Sequence, residues 1–396
     1  MTTFIGGSGF TRGPVGGPYN YSPWAGNPAI KKVVISEGVT TIPYGAFAGC
    51  ENLTEIEIPE SVVCIDGDAF WNTGWYKAQP DGMVYIGNIL YAYKGSLSEK
   101  TEMTIKDRTI SICETAFVGD DCDLFSYENS LYDMISSFQT PDSIINYGRA
   151  YGNVINLRES EWYQSQPDGI VYADNTAIAI KGDIPESIEF PEGTLGITDS
   201  FLNWDNDGEG LADASKLKTV TIPESVKYIG IGAFGRCENL SSVTIQNPDC
   251  VINDSDYYSK PFSNDFDWGT EQYTCNFTIH GYAGSTAEAY ARKHGVSFRV
   301  IGTDEGFEPE DIDTKGDFNG DGDISVEDAQ LTLMIYTMSI SGRYIDPDES
   351  WALAADVNQD EKIDLLDAML ILKYYVCNKV AKKPVTWEAL LQETAE

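Results

Sequence analysis

The chain has 396 residues, of which 62 are acidic and 26 basic, for a formal net charge of −36. Such a charge repels phosphate backbones and argues against a nucleic-acid partner, while 42% hydrophobic and 12% aromatic residues suffice for real cores. No apolar run of about 18 residues offers a membrane span, and Met1–Gly17 lacks the charged-then-apolar order of a signal peptide.

Residues 1–23 read as an irregular lead-in with a strand, and from 24 onward the chain repeats itself. Residues 33–53 are VVISEGVTTIPYGAFAGCENL and 56–73 are IEIPESVVCIDGDAFWNT. Ile35 and Ile58 stand 23 positions apart, as do Phe47 and Phe70; the unit returns at 220–240 as VTIPESVKYIGIGAFGRCENL, with Ile222 and Ile245 again 23 apart. Weaker copies occupy 105–117, 140–151 and 188–201. Each unit offers a short alternating strand, a Pro/Glu/Gly turn, a second apolar pair and an Ala-Phe step. One unit cannot bury its apolar face alone, whereas stacked units share a continuous core, so the pattern predicts a solenoid. The eight cysteines form no CxxC pair, and Cys50 and Cys237 hold the same repeat position. They read as small buried hydrophobes in preference to disulfides.

Two insertions interrupt the array, WYKAQPDGMVYIGNILYAYKG at 75–95 and WYQSQPDGIVYADNTAIAIKG at 162–182. Each reads as a β-hairpin turning at Gly87-Asn88 or Asp174-Asn175. Their Trp-Tyr pairs, with Trp71, either pack where a coil is interrupted or stack on sugar rings or peptide side chains, and their equivalent positions favour packing. Between the insertions, 118–137 loses the pattern and is either a helical excursion or a functional loop. Residues 277–302 predict a cap: a strand, a Gly-rich turn, a helix from Ser285 to His294 and a last strand. The acidic, aperiodic stretch 303–315 reads as a linker.

The repeat signature IPxSVxxIxxxAFxxCxNL resembles the BspA-type leucine-rich repeats of bacterial surface and secreted proteins, over residues 24–302. Downstream, 317–328 reads DFNGDGDISVED and 356–367 reads DVNQDEKIDLLD. Oxygen donors fall at alternate loop positions: Asp317, Asn319, Asp321, the Asp323 carbonyl, Ser325 and Asp328 in the first loop. The second offers Asp356, Asn358, Asp360, the Lys362 carbonyl, Asp364 and Asp367. This spacing wraps a loop around a hard cation that takes six to eight oxygens, so two calcium ions are expected. Each loop precedes an apolar-periodic helix, Ala329–Met338 or Ala368–Val376. At the sixth position Gly322 suits the sharp turn, whereas Glu361 should be strained. Ile324 and Ile363 at the eighth should form a short two-stranded contact.

A duplicated loop-helix with Asp at the twelfth position and no helix before the first loop resembles a type I dockerin, over residues 316–396. The expected fold is therefore a β-rich leucine-rich-repeat solenoid with a capping helix and strand, followed by a small all-α dockerin. The resemblance implies calcium-dependent binding to a cohesin module of a scaffoldin, in a secreted, cell-surface cellulosome; a secreted chain is then expected to have had its leader removed or replaced. It places the contact on Val326, Glu327, Leu365 and Leu366, with Tyr336, Lys373 and Tyr374 further along the helices. The ligand of the solenoid, protein or glycan, is not specified by any motif. No GxSxG elbow, HExxH or phosphate loop occurs, and His280 and His294 both fall in the cap, read as a turn residue and a helix-end residue. A non-catalytic recognition protein is expected; a carbohydrate-binding component and a hydrolase hidden in 118–160 are the alternatives.

Overall fold

In the computed structural model, which describes residues 2–5, 22, 24–113, 115–117, 135–148, 161–202, 214–254, 260–267, 272–308, 315–318, 323–340 and 350–394, each repeat becomes a coil with two short strands. Burial alternates along the first strand: in Lys32–Ile35 and again in Ser242–Ile245, every second side chain enters the core. A strand sends successive side chains to opposite faces, so the Val/Ile row points inward and the polar row outward. The constant repeat length brings equivalent residues into parallel register, Val33 beside Ile56 and Val220 beside Val243 beside Ile279.

The second strands pair in the same sense, Thr41–Ile42 with Cys64–Ile65, and Gly196–Ile197, Tyr228–Ile229 and Val251–Ile252 in succession. The Ala-Phe steps form the spine of each core. Phe47 and Phe70 stack at 5.4 Å and 12°, and Phe234 and Phe262 at 5.4 Å and 3°. The Phe47 amide donates to the Ala69 carbonyl at 2.7 Å, locking neighbouring coils together. All seven cysteines among the described residues are free thiols. Burial pushes the Cys237 thiol up to about 12, which leaves it inert.

Both insertions contain the expected hairpins, Gly82–Ile86 with Ile89–Lys94 and Gly169–Ala173 with Thr176–Lys181. Gly87 and Asp174 hold positive φ values of 59° and 50° at the turns. The Trp-Tyr segments, however, are short helices, Gly74–Lys77 and Glu161–Ser165, and not hairpin strands. A lysine from the last hairpin strand closes each helix. Lys94 Nζ donates to the Lys77 carbonyl at 2.8 Å, and Lys181 Nζ to the Gln164 carbonyl at 2.7 Å. An ammonium group there satisfies carbonyls that the helix leaves unpaired. Trp75 and Tyr76 pack on the core and Tyr163 is buried, so these rings serve packing.

Most of the irregular stretch, 118–134, lies outside the described residues, as does 149–160; the strand Ile135–Gln139 resumes the array beside Thr101–Thr104. At the cap, Ser285 Oγ accepts the Glu288 amide at 3.2 Å and starts the helix Thr286–Lys293, which His294 ends. His280 stands on the strand Thr278–Gly281 and not in a turn. The stretch read as a linker adds one more strand: Gly306–Phe307 pairs antiparallel with Ser297–Val300, and Phe307 stacks on Phe298 at 5.5 Å. Its periodicity was invisible because a two-residue edge strand has none to show.

The array also closes on itself. The second coil meets the last two through side chains up to 189 positions apart in sequence. Asn253 donates to Tyr228 Oη at 2.9 Å and to Asp66 Oδ1 at 3.3 Å; Tyr228 in turn donates to Asp199 Oδ1 at 3.0 Å. Cys64 lies 3.5 Å from Tyr228 Oη, and all five residues are buried. Buried polar groups are tolerated when they are hydrogen-bonded, and here they join two coil edges.

Beneath the cap, Asp254 Oδ2 lies 2.7 Å from His294 Nε2 and 2.9 Å from Lys293 Nζ. Burial raises the Asp254 carboxyl, but Lys293, His294 and Lys260 together outweigh it and hold the group well below the usual carboxylate range. Because Lys293 already neutralises Asp254, burial and the Lys260 charge push His294 down to about 4 against the pull of Asp254. The folded cap therefore binds neutral His294, and the unfolded chain takes up its proton first as pH falls. Stability from this site is complete above about pH 6.5 and drains away toward pH 4, by up to about 3 kcal/mol. Urea denaturation followed by tryptophan fluorescence should show the solenoid midpoint falling across that window. His294→Gln, which keeps a donor for Asp254 but cannot titrate, should flatten the fall.

Candidate calcium and docking site

The second acidic loop winds around its own carboxylates. Asp356 accepts the amides of Asp360 at 3.1 Å and Glu361 at 2.9 Å, and Asp360 accepts the Lys362 amide at 3.0 Å. Asn358 Oδ1 accepts the Asp360 amide at 2.9 Å. Turning the chain this tightly requires left-handed backbone at Gln359 and at Glu361, with φ of 59° and 65°. The strain expected of a non-glycine sixth residue is thus present, at a cost of about 1 kcal/mol.

The last loop residues also start the helices. Asp364 caps Leu365–Tyr375 by accepting the Leu366 amide at 2.7 Å, and Asp367 reaches back to the Asp364 amide at 2.9 Å, forming a capping box. In the first loop Ser325 and Asp328 do the same: Asp328 accepts the Ser325 amide at 2.8 Å, and Ser325 Oγ accepts the Glu327 amide at 3.0 Å. The helix Val326–Ile340 follows. Both helices begin three residues earlier than their apolar periodicity indicates, because the caps belong to the loops.

Asp367 is fully buried, and its contacts are the amides of Asn358 and Asp364. Burial pushes its carboxyl up to about 6 despite those two bonds, and Asp356 and Asp364 raise it further. A buried acid facing two more acids is a setting that a bound cation would stabilise. The donors are carboxylates, an amide and carbonyls, all hard oxygens of the kind that hold calcium. Among the described residues no three His, Cys, Asp or Glu side chains converge in metal-binding geometry. Of the first loop's donors, Asp317 and Asp328 are buried and Asp323 is exposed, ion-paired to Lys379 at 2.7 Å, while Asn319 and Asp321 lie outside the described residues. No strand joins Ile324 to Ile363 among the described residues.

Of the twelve large hydrophobic residues most exposed among the described residues, ten lie on this module, which makes it the apolar surface of the molecule. Val326, Leu365 and Leu366 are 39%, 49% and 39% exposed. Leu365, Met369, Leu372, Val376 and Val380 continue one stripe at helical spacing, the last two on a π-turn that extends the helix. Lys373 is exposed beside the stripe, and Glu327 and Tyr336 are half-buried. Tyr374 faces inward, stacked on Trp387 at 4.2 Å and 12°.

That stacking belongs to a part of the module absent from the sequence reading. The helix Trp387–Thr394 returns the chain to the start of the first loop, where Lys315 Nζ sits 5.8 Å over the Trp387 ring. Gly316 donates to the Ala354 carbonyl at 2.8 Å, and a Cβ on it would come within 2.5 Å of the ring. Asn378 holds the returning chain through the Val385 carbonyl at 3.2 Å. The available signal was Trp387 followed by Leu390 and Leu391, an apolar i, i+3, i+4 set after a proline. Ser350–Ala355 is a further short helix, too short to show an apolar period in the sequence. Trp387→Ala should cost the module about 3–5 kcal/mol, and Gly316→Ala should weaken it through the same contact. Both should lower the urea midpoint of the helical circular dichroism in the full chain.

Two family profiles match the chain. The BspA type leucine rich repeat region, in six copies, covers residues 23–141 and 209–264, and the dockerin type I domain covers 315–376. No curated protein matches. Among solved structures, a leucine-rich repeat protein from Bacteroides ovatus is 17% identical with a TM-score of 0.21, over 76% of this chain and 69% of that one. One from Eubacterium ventriosum is 13% identical with a TM-score of 0.16, over 63% and 75%. The pneumococcal vaccine antigen PcpA is 11% identical with a TM-score of 0.17, over 64% and 63%. At such scores these structures add nothing to the fold derived above. Both matched domains are non-catalytic module types. The chain is a leucine-rich-repeat protein of the BspA type that carries a C-terminal type I dockerin domain.

Proposed function

We propose that the chain is a secreted, non-catalytic member of a cell-surface cellulosome, whose dockerin, residues 316–396, binds a scaffoldin cohesin in a calcium-dependent way. The solenoid, residues 24–302, is the cargo displayed beyond a short acidic linker. The observation that supports this most is the apolar stripe beginning at the ends of the acidic loops, since a calcium module standing alone gains nothing by exposing it. Two ions are proposed. One is held by Asp317, Asn319, Asp321, the Asp323 carbonyl and Asp328, the other by Asp356, Asn358, Asp360, the Lys362 carbonyl and Asp367. Calcium would neutralise the carboxylates of each loop and tie the loop to the helix that its last residue caps.

The cohesin would read Val326, Glu327, Leu365, Leu366 and Lys373, with Tyr336 at the margin and Tyr374 supporting from behind. Equivalent positions 39 apart differ along the two helices: Gln330 against Met369 and Thr337 against Val376. At both of these positions the second helix is the more apolar, which favours one orientation of the partner over two interchangeable ones.

Folding of the module should follow the metal, because ligand binding free energy becomes folding free energy where the empty site is like-charged. In the full chain, excess chelator should remove most of the helical circular dichroism, leaving the β-rich signal of the solenoid and its cap helix; an undiminished helical signal under chelation would refute the dependence. Replacing Leu365 and Leu366 together by Asp should leave calcium binding intact and weaken cohesin binding by about 2 kcal/mol or more. The matching change of Val326 and Glu327 should cost less. Equal losses would mean two binding modes, and no loss from either would put the contact face elsewhere.

A further inference from the structure

The C-terminal solenoid sheet presents an outward face free of aliphatic side chains over five parallel strands. In register across them run Glu189, Thr221, Thr244, His280 and Arg299, a ladder of polar groups at the strand spacing of about 4.8 Å. The row two residues earlier is wholly hydroxyl: Ser187, Thr219, Ser242, Thr278 and Ser297.

The ladder leads into a cavity. It is an open depression of about 600 Å³, lined by Thr244, His280 and Arg299 and by the segment Val300–Asp304. That volume lies within the range of small-molecule sites, roughly 300–1,000 Å³. Tyr282, 43% exposed, follows Gly281, whose carbonyl accepts the amide of Ile301 in that lining segment at 2.8 Å. Trp71 is the other aromatic of comparable exposure among the described residues, and it belongs to a distant coil. A donor-acceptor floor beside an exposed ring is what a sugar needs, since hydroxyls require partners and the C–H face of the ring packs on an aromatic.

Charge narrows the class. Arg299 is paired with Glu308, and burial with the Arg299 charge holds His280 below the ordinary histidine value, so it is neutral at neutral pH. Asp304 brings a carboxylate to the wall, and the chain as a whole carries −36. Such a site repels uronates and sulfated glycans. We infer that the cavity and ladder bind an uncharged, extended polysaccharide, one end of the segment held in the cavity beside Tyr282 and successive sugars laid across the strands. The ladder suits a chain rather than a free sugar, because the strand spacing is close to the length of one residue in an extended β-linked glycan. Recognition is then independent of the dockerin and gives the assembly a hold on its substrate.

Affinity electrophoresis of the full chain tests this, with hydroxyethylcellulose, xyloglucan and glucomannan as neutral probes and polygalacturonate as the anionic one. At least one neutral glycan should retard the protein, with polygalacturonate inactive. Tyr282→Ala and, separately, Thr221→Val with Thr244→Val should each weaken that retardation at least tenfold. Trp71→Ala, which removes an exposed aromatic elsewhere, should not change it. These sites are at the surface, and unchanged urea midpoints will show that the variants are folded. Retardation by no neutral glycan, retardation by polygalacturonate alone, or retardation unaffected by the Tyr282 and threonine variants would each overturn the inference, whatever the outcome with cohesin.

Discussion

A coil of the solenoid has no interior of its own. Its two short strands and its Phe step expose as much apolar surface as they cover, and burial comes only when a neighbour stacks in register. The constant spacing of equivalent residues follows from this need. Val33 must meet Ile56 and Phe47 must meet Phe70, or the shared core opens along its whole length. The same need explains the interruptions. The helix-hairpin insertions present Trp75, Tyr76 and Tyr163 to the stack where a coil would have presented its own side chains. The cap closes the last layer with Ala287, Tyr290 and Ala291, all buried.

The dockerin obeys an opposite constraint. It has little apolar core, centred on Leu370, Ile371, Trp387 and Leu390, and much negative charge brought close together. Under the function proposed above, its order would come from converting that repulsion into ligation. The residues that close each loop also cap the helix behind it, so a calcium ion bound in the loop would fix where the helix begins. Trp387 adds a closure of its own, joining the end of the module to Lys315 and Gly316 at its start.

These two solutions divide the surface. The solenoid buries its hydrophobic residues almost completely and shows polar rows, whereas the dockerin exposes an aliphatic stripe along one helix. Dry, flat protein surfaces bind through a few buried aliphatic anchors. Polar ladders bind hydrated polymers through many weaker contacts. A chain built this way can be fastened at one end while the other remains free to meet a second ligand.

Repetition made most of the architecture readable in advance. The strand rows, the Phe steps, the hairpin turns at Gly87 and Asp174, the cap helix beginning at Ser285 and the turns of the second acidic loop are local patterns, and local patterns survive in a linear string. Short elements without periodicity did not: the four-residue helix at Gly74, the edge strand at Phe307 and the returning helix at Trp387 each rest on contacts with partners far away. The closure of the array was the least legible of all. Cys64, Asp66, Asp199, Tyr228 and Asn253 occupy positions that are variable between repeats, and nothing in one coil shows that they will meet. The sequence by itself determined what each coil and loop would be, since their energetics are those of near neighbours. Only the tertiary structure decided which coils face one another and which polar rows and apolar stripes remain outside, because those outcomes depend on the curvature accumulated over the whole stack.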